Sequence, residues 1–181
     1  MGDRCYLQVT IHGYIDNLAV LEEVIEAIQA EGLDPASEGI FTDNIVKEFA
    51  HALAFEMSPT FACDEKNYAN IDELETVLKQ YGIAYAVYHG SGDSYGPGRW
   101  VYEPPGSRYQ ATLTHDGSIV LDLEAVKHAI NSVDPVVATR QLIHEAEMAS
   151  GDHLPKFSVG EELKRHLATI MGVEALSPQT V

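Results

Sequence analysis

The eight histidines are the first residues to test for chemistry, because imidazole is a common metal ligand. Two of them enclose two glutamates in HEAEMASGDH, residues 144–153. A zincin site needs histidines at positions i and i+4 of one helix, but the residue four after His144 is Met148. His144 and Glu147 could share a helical face as in di-iron bundles, yet such bundles repeat the element, and it occurs once. The chain also lacks a cysteine cluster, so the sequence predicts no metal and no other cofactor.

The sequence also contains no motif that indicates nucleophilic catalysis. Cys63 is followed by Asp64 and Glu65, whose negative charges oppose formation of a thiolate. No G-x-S-x-G elbow occurs. His115 and Asp116 stand in a predicted hairpin turn, where Asp is common for conformational reasons. We therefore predict no catalytic residues, which favours a non-enzymatic role.

The segment HGSGDSYGPGRWVYEPPGSRYQ, residues 89–110, has the glycines of a phosphate-binding loop but not its chemistry. It lacks the lysine of a P-loop, it joins two predicted strands instead of opening a helix, and Asp93 would repel a phosphate. We interpret it as a mobile hairpin connection. The alternative is a contact surface, because Tyr, Trp and Arg dominate binding hot spots. The candidate contact residues are Tyr95, Arg99, Trp100 and Arg108.

The charge of the chain is strongly unbalanced. Its 28 acidic and 11 basic residues give a net charge of −17. Residues 1–80 carry 16 acids and 4 bases, a net of −12, and residues 81–181 carry the remaining −5. This balance opposes direct binding of nucleic acid and of an anionic membrane surface. It favours a basic protein surface as partner, with solubility alone as the alternative explanation.

Hydrophobic periodicity predicts the elements that must position these residues. Alternating patterns predict strands over 4–15, 59–65, 83–89, 99–103, 107–115 and 118–123. Amphipathic patterns with capping and terminal-glycine signals predict helices over 16–32, 42–56, 70–82, 122–132, 134–151 and 158–172. A strand followed by an acidic helix ending in glycine occurs at 5–32 and again at 59–82, which makes this unit a candidate duplication.

This pattern predicts an α+β protein with a largely antiparallel sheet of about five to six strands, helices packed on one face and a helical C-terminal third. We expect a single domain over 1–181, with a subdivision into 1–121 and a helical portion over 122–172 as the alternative. The N-terminus has no signal-peptide pattern, and no apolar run has the length of a membrane span. Cys5 and Cys63 are typical of buried thiols in a reducing cell. We therefore predict a cytoplasmic protein.

The first functional hypothesis is a binding protein whose acidic face meets a basic partner. Carboxylates on a rigid surface can imitate DNA phosphates and occupy the groove of a nucleic-acid-binding protein or complex. Anti-restriction and anti-CRISPR proteins of phages and plasmids use this strategy, and the chain shares their size and acidity but no motif with them. The candidate acidic face comprises Glu22, Glu23, Glu26, Glu31, Asp34, Glu38 and Asp43.

Two further hypotheses stay open. One is a small enzyme or ligand-binding domain with a pocket beside the 89–110 segment, in which residues 90–98 act as a lid. Its candidate lining residues are His89, Tyr95, Arg99 and His115. The other is a structural protein that forms a homo-oligomer through its aromatic strands, which requires a self-complementary apolar patch.

Overall fold

The computed structural model describes residues 4–36, 44–67 and 69–172. Its strands are β1 Arg4–Ile11, β2 Tyr14–Ile15, β3 Asp34–Pro35, β4 Thr60–Asn67, β5 Tyr85–His89, β6 Gly98–Glu103, β7 Ser107–Leu113, β8 Ile119–Val120 and β9 Ser158–Val159. Its helices are α1 Leu18–Ala30, α2 Ile45–Ala54, α3 Asp72–Gln80, α4 Leu123–Ile130, α5 Pro135–Ser150 and α6 Glu161–Ile170. Within these ranges no helix combines the length and apolarity needed to cross a membrane.

Seven strands form one sheet in the order β3-β4-β1-β5-β6-β7-β8, and every neighbouring pair is antiparallel. Two strand–helix–strand units interleave in its first half. In β1–α1–β3 the two strands are separated by β4, and in β4–α3–β5 they are separated by β1. This is the split βαβ arrangement. The two segments that echo each other in the sequence therefore occupy equivalent places in the sheet.

The main core lies between this sheet and the first helices. Cys5, Leu7, Val9 and Ile11 alternate along β1 and are at most 4% exposed, so one face of the central strand is wholly apolar. The buried stripes of α1 and α3 cover this face. Burying such side chains stabilises the fold by roughly 1.5–3 kcal/mol each. The buried residues of the two helices are Leu21, Val24, Ala27, Ile28, Leu74 and Leu78.

The predicted α+β class and the largely antiparallel sheet are confirmed, but two details differ from the expected five to six strands with helices on one face. The sheet gains a seventh strand because Asp34 and Pro35 pair with β4. Helices also occupy both faces, since α5 packs on β6 and β7 from the side opposite α3. There Val101 meets Ala84 and Leu154 in a second, small apolar cluster.

The strand predicted over 4–15 ends earlier, at Ile11. Gly13 has a φ of +83°, a left-handed conformation that glycine adopts without strain. The chain turns there, and β2 leaves the main sheet to pair in parallel with β9. A period-two pattern continues across such a turn, so the sequence alone could not place the break.

Glu31 joins α1 to α3. Its Oε2 accepts a hydrogen bond from Lys66 Nζ at 2.5 Å, and its Oε1 accepts one from the backbone N–H of Glu73 at 2.9 Å. The cap residue of α3, Ile71, has no side-chain acceptor for the first N–H groups of that helix. Asn70 Oδ1 accepts from the first of them, that of Asp72, and Glu31 supplies the acceptor for the next from the neighbouring helix. The charge of Glu31 also suits the positive end of the helix dipole.

We predict that Glu31→Ala lowers the free energy of unfolding by about 2 kcal/mol, because it leaves Lys66 without its carboxylate and the Glu73 N–H of α3 without its acceptor. The exposed Glu26 of the same helix is the matched control, and Glu26→Ala should change stability by less than about 0.5 kcal/mol. Urea denaturation followed by the fluorescence of Trp100, the single tryptophan, measures both. Equal effects of the two substitutions would show that Glu31 has no special structural role.

Candidate functional site

The outward side of the α1–α3 layer is an acidic surface. The two helices lie antiparallel, because the carboxylate of Glu31 at the end of α1 caps the start of α3. Towards the other end of the pair, Tyr81 Oη donates to Glu23 Oε1 at 2.7 Å. We call the exposed carboxylates of these two helices the α1–α3 acidic face. Its members are Glu22, Glu23, Glu26, Asp72 and Glu73.

The acidic face contains little positive charge. Lys79 is the only Lys or Arg in α1 and α3, which together carry six acidic residues and so a net charge of −5. Lys79 Nζ lies 2.5 Å from Glu75 Oε2, at the edge of α3 that faces β6. The five exposed carboxylates therefore have no basic side chain of their own two helices beside them.

The structure separates the seven acids that the sequence grouped. Glu22, Glu23 and Glu26 are exposed on α1, and Asp34 is exposed on β3 opposite Ala62. Glu31 is only 11% exposed and is held by Lys66, so it must be removed from the candidate partner-binding set. Glu38 and Asp43 lie outside the described residues.

Sequence reasoning missed Asp72 and Glu73 as members of this face. In the sequence they belong to the first turn of a distant helix, about fifty residues from Glu22. Only the packing of α1 against α3 puts both groups of acids on one layer, with Asp72 and Glu73 near the end of α1 and Glu23 near the end of α3. The repeated strand–helix pattern was the signal that could have found them, because equivalent units in one sheet place their helices on the same face.

A second candidate site lies where β5, β6 and the 90–97 loop meet. The His89 ring is 5.4 Å from the Tyr95 ring and 5.9 Å from the Trp100 ring. Arg108 Cζ lies 5.2 Å from the Trp100 ring centre, within cation–π distance. These aromatic side chains border a cleft of about 350 Å³, which Gln110 and Thr112 also line. We call it the His89–Trp100 cleft.

The predicted contact group Tyr95, Arg99, Trp100 and Arg108 is divided by the pleat of β6. Arg99 and Trp100 are consecutive, so their side chains point to opposite faces of the sheet. Trp100 faces α3, whereas Arg99 Nη1 donates to the carbonyl of Ser150, the last residue of α5, at 2.6 Å. Arg99 thus caps the C-terminus of α5. Arg99 still lines the cleft beside Tyr95 and Trp100, but its guanidinium is directed away from them.

The predicted pocket is also only partly assembled. His89, Tyr95 and Arg99 all line the cleft, but the guanidinium of Arg99 is turned away from it and donates to Ser150 at the end of α5. His115 is exposed in the turn between β7 and β8 and does not line the cleft. The hairpin register explains this, because Gly98 pairs with Thr112 and the chain has left the cleft before it reaches His115.

Glu75 fixes the position of Trp100. Trp100 Nε1 donates to Glu75 Oε1 at 2.8 Å, and the carboxylate also accepts from Lys79. Burial alone raises the pKa of Glu75, but the hydrogen bonds from Lys79 and Trp100 outweigh it, and the pKa falls below its ordinary value. Burial, and then the Glu75 charge, raise the pKa of Tyr85. Glu75 is thus an ionised, positioning residue.

Metal chemistry gains no support from the part of the chain that the structure describes. Within it, no group of three or more histidine, cysteine, aspartate or glutamate side chains is arranged to hold a metal ion. His144 is exposed on α5. His153 contacts Glu103 at 3.7 Å and the ring of Tyr109 at 6.4 Å, so the two histidines of the 144–153 segment have different surroundings.

Comparison with known proteins gives no relative from which a role could be transferred. No family model, curated protein or solved structure matches the chain significantly. The split βαβ topology is shared by proteins of many functions and carries no role by itself. The case for function therefore rests on the acidic face and on the cleft.

We predict that Glu75→Gln lowers the free energy of unfolding at neutral pH by about 1–2 kcal/mol, because Lys79 and Trp100 lose a charged acceptor. The pKa of Glu75 is depressed in the folded protein, so this contribution is present above pH 4.5, its ordinary value, and is lost as the pH falls through the lower folded value. The difference from wild type should therefore shrink below pH 4.5. Denaturation monitored by Trp100 fluorescence measures it, with the exposed Glu73→Gln as control. A difference that stays constant with pH would contradict the assignment.

Proposed function

We propose that this protein is an acidic interaction module that binds a basic surface of another protein through its α1–α3 acidic face. The observation that carries the proposal is the set of five exposed carboxylates on two adjacent antiparallel helices, with the only lysine of those helices paired to Glu75. The negative electrostatic potential of these carboxylates attracts a basic partner and accelerates association. It equally repels nucleic acid and anionic lipid.

The partner that this chemistry fits is a nucleic-acid-binding protein or complex. Its binding groove is lined with Lys and Arg to receive phosphates, and rigidly placed carboxylates can occupy the same positions. The helices of the acidic face are rigid because their opposite sides, with Leu21 and Leu74 fully buried, are packed in the main core. Little conformational entropy is then lost in holding the helix backbones in place. An inhibitor in the manner of anti-restriction and anti-CRISPR proteins is the specific form of the proposal.

We predict that the triple variant Glu22→Lys, Glu23→Lys and Glu26→Lys loses the partner. Wild-type protein used as bait in host lysate should capture a basic nucleic-acid-binding protein at low salt and release it at high salt. Purified partner should then bind the triple variant at least about tenfold more weakly, ~1.4 kcal/mol. Double-stranded DNA should compete with the wild-type protein for the partner.

The matched control reverses three exposed acids on and just after α5, on the other side of the sheet. Glu145→Lys, Glu147→Lys and Asp152→Lys change the net charge by the same amount but leave the acidic face intact. Binding by this control should stay close to that of wild type. If both triple variants lose binding equally, net charge and not the acidic face is responsible; if neither does, the proposal fails.

Binding of a small ligand in the His89–Trp100 cleft is the second candidate function. It is favoured by the convergence of His89, Tyr95 and Trp100 on one concavity. Aromatic walls with a few polar groups are typical of ligand sites. Since Trp100 is the single tryptophan, its fluorescence reports directly on occupancy of this cleft.

We predict that any ligand of the cleft changes Trp100 fluorescence in wild type and loses affinity by about tenfold or more in Gly98→Ala. A Cβ at position 98 would stand 2.5 Å from His89 Nε2, so the imidazole must move. Gly106→Ala is the control, because a Cβ there meets nothing within 4 Å. A small-molecule screen by fluorescence, repeated on both variants, makes the test. Hits that bind Gly98→Ala as well as wild type would place the ligand elsewhere.

A further inference from the structure

The helical hairpin formed by α4 and α5 exposes an unusual amount of apolar surface. Fourteen large apolar side chains are exposed among the described residues, and eight of them lie between positions 120 and 143. Each of the eight is at least 42% exposed. They are Val120, Leu121, Leu123, Ile130, Val133, Val136, Val137 and Ile143. We call this set the α4–α5 apolar patch.

The apolar side chains of the hairpin are spaced for packing against further helices. Leu123 and Ile130 are seven residues apart on α4, and Val136 and Ile143 are seven residues apart on α5. Residues at this spacing share one face of a helix, as the core positions of bundles and coiled coils do. The two stripes are therefore of the type that fills a helical bundle.

The hairpin itself buries very little. Ala129 is the one buried residue of α4, and Ala149 is the one buried residue of α5. An eight-residue helix is not stable in water by propensity, and helices in proteins depend on packing of their apolar side. Two buried alanines and the half-buried Val126, Leu142 and Met148 supply only part of this. A cover that is permanently present would supply the rest.

We propose that the cover is a second copy of this chain, and that two α4–α5 hairpins pack face to face into a four-helix bundle about a two-fold axis. A second copy is available at the protein's own concentration, as a permanent cover must be. A two-fold interface brings the same patch of each subunit together, and antiparallel hairpins with short loops are the usual components of four-helix bundles. This inference does not depend on the proposed function.

The charge distribution fits a second copy at this surface. Residues 120–143 carry three acids and two bases, a net charge of −1 out of −17 for the whole chain. The α1–α3 acidic face lies on the opposite side of the sheet, since Trp100 contacts α3 whereas Arg99 contacts α5. Two copies joined through α4 and α5 therefore hold their most acidic faces apart. Association through any acidic surface would be opposed by like-charge repulsion.

The amount of apolar surface is of the right size. Monomers rarely expose a contiguous apolar patch above a few hundred Å², and a stable interface buries about 800 Å² per partner. Eight large side chains exposed by 42% or more approach that area together. A contact of the kind found in crystal lattices buries less surface than these eight side chains expose.

The test is the mass of the full-length protein in solution, measured by sedimentation equilibrium across the micromolar range. We expect wild type at twice the chain mass of 19.8 kDa. Leu123→Glu with Ile130→Glu should give the single-chain mass with unchanged circular dichroism in the sheet region. Met57→Glu, which changes an apolar side chain that is 44% exposed outside the patch, should remain dimeric. A monomeric wild type, or a dimer that survives the double substitution, overturns the proposal.

A second measurement needs no variant and so does not depend on how a substituted hairpin folds. Amide hydrogen exchange of wild type is compared at a low and a high protein concentration. Protection of α4 and α5 should rise with concentration, while protection of α1 and α3 should stay constant. A rise confined to other elements would place the interface elsewhere and overturn the proposal.

Discussion

The alternation of side chains along β1, β5 and β6 is the constraint on which the rest of the structure depends. Because consecutive residues of a strand point to opposite faces, Tyr85 and Val87 join the main core while Ala84 and Ala86 lie against the second cluster. The same rule sends Trp100 to Glu75 of α3 and Arg99 to the end of α5. The face of the sheet that meets α1 and α3 therefore carries large apolar side chains such as Tyr85. The face that meets α5 carries smaller ones such as Ala84 and Ala86. This difference explains why α1 and α3 are firmly packed on the sheet, whereas the α4–α5 hairpin buries little.

The sequence was sufficient for the helices and the longer strands, and insufficient for the two-residue strands β2, β3 and β9 and for the neighbours of each element. Buried alternation identified Leu7, Val9 and Ile11 as the core side of a strand, and glycines identified the ends of α1 and α3, because these signals are local. The strand order, the pairing of Asp34 with β4 and the capping of α3 by Glu31 depend on contacts between distant segments, which no local pattern contains. The cleft was half predictable, since Tyr95 and Trp100 were grouped correctly. The register of β6 and β7 leaves His115 outside the cleft, and the pleat of β6 turns the guanidinium of Arg99 towards α5.

The acidic side chains that give the chain its large negative charge do not all lie on the surface. Glu48 is fully buried in α2 and accepts the backbone N–H of Thr60 at 3.1 Å. Glu31 and Glu75 are mostly buried and hold Lys66, Lys79 and Trp100 in place. These acids stabilise the fold, and removing them would cost stability before it changed any surface property. A count of acidic residues therefore overstates the charge offered to a partner, and the exposed members on α1 and α3 are the relevant ones.

The interleaving of the two strand–helix–strand units has a consequence for synthesis. The central strand β1 is made first, but its partners β4 and β5 begin at Thr60 and Tyr85, so neither unit can complete its sheet before the other is made. Such non-local pairing is slow, and until residue 89 has left the ribosome β1 keeps at least one open edge, the usual starting point of aggregation. Residues 1–80 carry a net charge of −12, so like-charge repulsion opposes the association of chains whose sheet is still incomplete.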